Sequence, residues 1–314
     1  MQQPPERATL NGRLTPRLAA SLVALSVALA LLVIGSRFLG FFGPQEVVLL
    51  AAGDIASCGG AGDEATAALL DVLPGTIAAL GDTVYQDGTA AEYRDCYGPS
   101  WGRHLERTRP IPGNHEYLTA SAAPYFAYFG SSAGDPATGY YSFDLGAWHV
   151  IALNTQCDEV GGCELGSAQE RWLRADLAAS DHLCTIALMH TPRFSSGVHG
   201  DAPWLVPLWN ALYESGVEMV LSGDDHHYER FAPQDPDGAF DRSWGVRQFV
   251  VGTGGIGLNP LGPPGPNSVT GNDSTHGLLE LKLGPDAFEW RFVPVTGKTF
   301  TDTGGDRCHA APVG

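Results

Sequence analysis

Apolar runs in this 314-residue chain lead again and again into clusters of metal-ligating side chains. Val47 to Ala52 leads into Gly53-Asp54, and Thr76 to Leu80 into Gly81-Asp82-Thr83-Val84-Tyr85. The turn Ile111-Pro112 leads into Gly113-Asn114-His115-Glu116, and Cys184 to Met189 ends in His190. Val217 to Leu221 runs into Ser222-Gly223-Asp224-Asp225-His226-His227-Tyr228-Glu229-Arg230. One Gly-Asp pair after a strand is an ordinary turn, and a lone histidine is more often structural than ligating. Five clusters in succession make coincidence improbable and favour a fold that gathers the ends of several strands at one place. Carboxylate, amide, imidazole and phenol groups together describe a hard, oxygen-rich site for two cations.

The spacing between clusters points to the architecture. Further strand candidates are Trp148 to Asn154 and Gln248 to Val251. Asp63 to Val72, Ala90 to Thr108, Ser167 to Ala179 and Trp204 to Ser215 repeat apolar residues at three- and four-residue intervals, as helices do. Strands interleaved with helices predict an α/β fold, a layered β-sandwich flanked by helices with ligands held at strand-end loops. Leu278 to Val295 alternates in the manner of a hairpin. Gly252 to Gly277, rich in Gly, Pro and Asn, reads as a long loop.

The 18 Lys+Arg against 35 Asp+Glu give a net charge of −17, which argues against a polymeric nucleic acid partner. A cationic centre can still bind one small phosphate ester, because bound ions dominate the field of their own pocket. Arg7, Arg13 and Arg17 precede a charge-free stretch from 18 to 36, and Arg37 follows it. Its 17-residue core, Leu18 to Ile34, is roughly 26 Å of helix, the lower limit for a membrane span. The expected organisation is a cytoplasmic tail over 1–17, a transmembrane signal anchor or signal peptide over 18–36, and a catalytic domain over 45–314. The arginine bias predicts a single-pass protein of the cell membrane with an extracytoplasmic domain, secreted if the segment is cleaved. All six cysteines (Cys58, Cys96, Cys157, Cys163, Cys184, Cys308) lie beyond that segment, so disulfides are expected. Cys157 and Cys163 share one Gly-rich loop and could close it, but six cysteines allow fifteen pairings and the sequence does not choose among them.

Over about residues 47 to 306 these motifs, in this order, resemble the calcineurin-like metallophosphoesterases and, within them, the purple acid phosphatase branch. The resemblance implies that Asp54, Asp82, Tyr85 and His226 hold a first metal, with Asp82 bridging to a second held by Asn114 and His190. Most of the family place a histidine two residues after the first aspartate. Ala56 stands there, and Tyr85 supplies the replacement ligand, as in the branch whose phenolate binds ferric iron. Iron is therefore expected at the first site. The family normally writes Gly-His-x-His where this chain has Gly223-Asp224-Asp225-His226. Asp224 thus replaces a histidine ligand, and Mn, Fe, Zn or Mg is expected at the second site.

His115 and His199 match the substrate-facing histidines of the family, which makes them general-acid candidates. The resemblance implies an acid phosphatase-like enzyme that hydrolyses phosphomonoesters by attack of metal-bound hydroxide. A phosphodiesterase or nucleotidase with the same metals, or a feebly active membrane-anchored binding module with an impaired second site, are the alternatives.

Overall fold

The computed structural model describes Met1 and residues 46–309. The chain divides into two units, Met1–Pro44 and Gln45–Gly314, and the described elements all belong to the second. Its strands are β1 (Val47–Ala52), β2 (Ala56–Ser57), β3 (Thr76–Leu80), β4 (Val84–Tyr85), β5 (Thr108–Ile111), β6 (Tyr141–Leu145), β7 (Trp148–Ala152) and β8 (Cys184–Met189). They continue with β9 (Met219–Ser222), β10 (Tyr228–Phe231), β11 (Arg247–Val251), β12 (Ser268–Asn272), β13 (Gly277–Leu283), β14 (Ala287–Pro294) and β15 (Thr303–Arg307).

Two mixed sheets result, ordered β15-β14-β13-β1-β3-β5 and β12-β10-β11-β9-β8-β7-β6, with a small pair β2-β4. Parallel pairing runs through β1-β3-β5 on one side of the first sheet and through β7-β8-β9-β11 in the middle of the second. Strand periodicity sorts the second sheet's side chains between two layers. Val150, Ile186, Leu188, Leu221 and Phe249 share one apolar core with Leu49, Leu50, Ile77 and Leu279 of the first sheet. Ile151, Ala187, Met189, Val220 and Val250 face the other way, against Leu173 of helix Ala168–Ala179 and Trp209 and Leu212 of helix Val206–Glu214. The expected layered α/β architecture is present.

Local expectations fare unevenly. The single helix expected over Ala90 to Thr108 is instead three short pieces, Ala90–Glu92, Tyr93–Tyr97 and Trp101–Arg107, the last two separated by Gly98-Pro99-Ser100. Pro99 lacks a backbone N–H and disfavours helical geometry in the residue before it, so the apolar periodicity cannot run through. The loop expected over Gly252 to Gly277 contains β12, which pairs with β10 at the sheet edge. Disulfides join Cys58 to Cys96, Cys157 to Cys163 and Cys184 to Cys308.

The tail and anchor expected over 1–17 and 18–36 lie, Met1 apart, outside the described residues. The expected placement in the cell membrane is overturned, because among the described residues no helix is long and apolar enough to cross a membrane. Helix Ala168–Ala179 has 12 residues, well short of the ~20 that a span requires.

Candidate metal centre

The centre assembles at the C-terminal ends of parallel strands from both sheets. Asp54 follows β1, Asp82 follows β3, Asn114 and His115 follow β5, His190 follows β8, and Asp224 and His226 follow β9. Asp54, Asp82 and Asp224 all adopt left-handed backbone, with φ of 62°, 47° and 68°. That conformation is uncommon outside glycine and is concentrated at sites where function over-determines the backbone. The turns also bring backbone unusually close to ligand side chains. A Cβ on Gly81 would meet His190 Nδ1 at 2.5 Å, and one on Gly113 would meet Asp82 Oδ1 at 2.2 Å. Either substitution would displace a candidate ligand.

Asp54, Asp82, Tyr85 and His226 converge on one point. The Tyr85 hydroxyl lies 2.8 Å from Asp54 Oδ1, 3.1 Å from Asp82 Oδ2 and 3.2 Å from His226 Nε2. A backbone carbonyl orients the imidazole, since His226 Nδ1 lies 2.9 Å from the oxygen of Gly257 and so turns Nε2 inward. His190 anchors the second half. Its Nδ1 is 2.7 Å from the carbonyl of Leu80, while Nε2 points at Asn114 Oδ1 (3.1 Å), Asp82 Oδ1 (3.4 Å) and Asp224 Oδ1 (3.5 Å). Asp82 thus turns one oxygen to each half.

These donor atoms fit cations. Asp54, Asp82 and Tyr85 are buried, yet the only cationic side chain buried among them is His190. Burial pushes the Asp54 carboxyl well above the usual range; the positive charge of His190 works against this, and the negative charges of Asp82 and Asp224 add to it. Burial and then the charges of Asp54 and Asp82 raise the Tyr85 phenol. Burial opposes the charge of His190, but Asp82, Asp224 and Asp54 outweigh it and hold the imidazole well above its ordinary value. Two metal ions would relieve this crowding of buried anions.

His115 sits beside this centre. Its ring packs on Tyr85 with centroids 4.4 Å apart, and its Nδ1 is 2.6 Å from the carbonyl of Gln86. Nε2 is left 3.7 Å from Asp82 Oδ2. His199 is exposed on the far wall, on a loop tied down by Asp225, whose Oδ1 accepts from the His199 N–H at 3.1 Å and whose Oδ2 accepts from Ser195 Oγ. His199 lines a cleft of about 810 Å³ together with Asn114, Tyr117, Asp158, Glu159, Glu164, Trp204 and Asp224 among others.

Three carboxylates outside the candidate ligand set hold this site together, and sequence reasoning assigned no role to two of them, Glu116 and Asp225. Glu116 is fully buried and accepts from the N–H groups of Asp82 (2.9 Å), Thr83 (2.8 Å) and Gly113 (2.7 Å) and from the Thr83 hydroxyl (2.9 Å). One carboxylate therefore joins the β3 and β5 loops. Asp225 does the same for the His199 loop. Glu229 accepts from the N–H and Oγ of Ser196 and from Ser268 Oγ. Their presence inside the motifs was visible; the inward turn of their carboxylates was not. His227, adjacent to His226, is fully buried with Nε2 3.5 Å from Glu229 Oε2, facing away from the ligand cluster.

The family model described as calcineurin-like phosphoesterase matches residues 41–228, and the chain belongs to that family. Among curated relatives it is 31% identical to purple acid phosphatase 21 of Arabidopsis thaliana over 45% of this chain and 37% of that protein. Its fold is similar to purple acid phosphatase PPD1 from yellow lupin (Lupinus luteus) seeds, with TM-score 0.67, 16% identity, and coverage of 83% of this chain and 54% of that one. It is also similar to GAP50, the anchor in the inner membrane complex of Plasmodium, with TM-score 0.63, 12% identity, and coverage of 85% and 90%. The chain spans well under half the length of the first curated relatives it matches. The resemblance to the purple acid phosphatase branch is borne out by these relatives.

Proposed function

We infer that the chain is a dinuclear metal-dependent phosphomonoesterase. The observation that carries this reading is the convergence of Asp54, Asp82 and the Tyr85 hydroxyl on one buried point, with Asp82 turned also toward His190. Asp54, Asp82, Tyr85 and His226 would hold the first ion, and Asp82, Asn114, His190 and Asp224 the second. When bound, such a pair supplies Lewis acidity toward phosphoryl oxygens and a water of lowered pKa. The oxygen-rich first half, with its phenol, favours a hard ion such as ferric iron, and Asp224 in place of an imidazole tilts the second half away from zinc. His115 Nε2 would carry a proton to the departing oxygen; the packing of its ring on Tyr85 and the contact of Nδ1 with the Gln86 carbonyl support this. His199 faces the same cleft and would contact the phosphate or the leaving group.

The cleft wall bears on substrate class. Asp158, Glu159 and Glu164 line it, without lysine or arginine among its lining residues, alongside Tyr117 and Trp204. An anionic leaving group would meet repulsion there, whereas a neutral or cationic alcohol would meet carboxylates and aromatic faces. A small phosphate monoester of such an alcohol is the substrate we propose, and nucleic acid is disfavoured.

The test is a panel of p-nitrophenyl phosphate, its bis ester, an aminoalkyl phosphate and a nucleoside monophosphate, assayed together with metal analysis. Two ions per chain and preference for the monoesters with neutral or cationic leaving groups are expected. Preference for the bis ester would overturn the monoesterase reading, and one ion per chain with no turnover would overturn the enzyme reading altogether. In iron-loaded protein a visible charge-transfer band that disappears in Tyr85→Phe is expected; no band would remove the case for a ferric phenolate.

A further inference from the structure

At the opposite edge of the seven-stranded sheet a second group of ligand-type side chains stands apart from the metal centre. Asp144 on β6 and His149 on β7 are directly paired across the antiparallel ladder. His182 follows helix Ala168–Ala179 and stacks on His149, with ring centroids 6.0 Å apart. Each of the three offers one donor atom within 4.8 Å of the other two. The Asp144 Oδ1 to His149 Nδ1 distance is 2.9 Å, and the Asp144 Oδ1 to His182 Nδ1 distance is 3.9 Å. Ligands on ~2.1 Å bonds in a tetrahedron sit about 3.4 Å apart, between these two values.

The arrangement behind His149 is what points to a ligand. Its ring is buried, and Nε2 faces Asp176 Oδ2 at 2.8 Å from within helix Ala168–Ala179. Asp176 is itself held, since its Oδ1 accepts from Ser142 Oγ at 2.7 Å. A neutral imidazole that donates one N–H to a fixed carboxylate presents the lone pair of its other nitrogen, which is the usual outer arrangement of a metal-bound histidine. That lone pair, on Nδ1, would lie 2.9 Å from a second carboxylate oxygen, which is repulsive unless a proton or a cation lies between them.

We propose that Asp144 Oδ1, His149 Nδ1 and His182 Nδ1 form a binding site for a zinc-class divalent transition ion, with Asp176 fixing the His149 tautomer. Two imidazoles and one carboxylate suit Zn²⁺, Co²⁺ or Ni²⁺ better than Mg²⁺ or Ca²⁺. The ion would clip edge strand β6 to β7 and to the end of the neighbouring helix. An edge strand has one side of its backbone unpaired, and such a clip would hold it against fraying or pairing with another chain.

The experiment uses the full chain and Zn²⁺ alone as probe, comparing wild type with Asp144→Ala/His182→Ala and with Asp82→Ala. The proposal expects the edge double variant to bind one Zn²⁺ fewer at saturation while its esterase turnover stays within twofold of wild type. Asp176→Asn should weaken binding at that site about tenfold to a hundredfold, the usual range for losing an outer partner. Mg²⁺ at millimolar concentration should leave that site's Zn²⁺ bound. An unchanged Zn²⁺ count in the double variant, a deficit confined to Asp82→Ala, or displacement by Mg²⁺ would each overturn the site. Asp144 is exposed and His182 half-buried, so the double variant is expected to fold; should it not, Asp176→Asn carries the same test.

Discussion

Around His190 three aspartates face one fully buried imidazole, whereas around His149 two aspartates face an imidazole at the sheet edge. The same side-chain types meet in both places, but their backbones differ. The aspartates near His190 leave strand ends in left-handed turns, and glycines at 81 and 113 let those turns approach. Asp144 and His149 instead occupy regular positions on paired strands. The first cluster concentrates buried negative charge that needs cations to balance it. The second has fewer carboxylates and an exposed Asp144, so a metal there would serve structure more than chemistry. Burial and backbone geometry, more than residue type, separate a reactive centre from a fastening.

Five experiments would break or sharpen this contrast. The largest effect is expected from Asp82→Ala, which removes a side chain that turns one oxygen to each half of the centre. Ester turnover should fall by more than about a hundredfold, the loss that an outer partner alone can produce, while the fold is retained by circular dichroism. Glu116→Ala comes next, because it takes the acceptor from three backbone N–H groups in the interior. Denaturant titration should show a loss of about 2–5 kcal/mol, and a loss below ~1 kcal/mol would make the carboxylate incidental.

Removing metal with a chelator should follow. Ions present at a hundred times their Kd stabilise by about 2.7 kcal/mol, which for a domain of this size is roughly 5–10 °C in Tm by calorimetry. Asp224→His should shift the second site toward zinc over manganese by about tenfold, read by competitive titration. The smallest effect is expected at Asp63, a buried carboxyl without metal-type neighbours, raised to about 6 chiefly by burial. Its folded form keeps the proton longer than the unfolded chain does, so its contribution to stability falls as pH rises from about 4 to 6 and is flat above. Asp63→Asn removes this term, so stability at pH 7 relative to pH 4 should rise by about 1 kcal/mol compared with wild type, read by denaturant titration at the two pH values.

Much of this was legible in the chain itself. β1, β3 and β8 coincide with the apolar runs Val47–Ala52, Thr76–Leu80 and Cys184–Met189, because buried parallel strands require unbroken apolar sequence. β6 and β15 were not legible: Tyr141–Leu145 is only partly buried, Thr303–Arg307 is exposed, and neither carries a strong apolar signal. The helix expected over Ala90 to Thr108 is interrupted because Pro99 breaks helical geometry whatever the apolar periodicity around it. The membrane placement rested on residues 18–36 and found no spanning helix among the described residues.

What the sequence determined by itself was the set of strands that end in candidate ligands, since each apolar run and its polar terminus are local in the chain. Only the tertiary structure decided that Glu116, Asp225 and Glu229 turn inward, and that Asp144, His149 and His182 meet. Those groups lie on different elements, and whether they become partners depends on sheet order and register, which arise from burying the two cores rather than from any short stretch of residues. The charge of a carboxylate is written in the chain; the desolvation and neighbours that set what it binds come with folding.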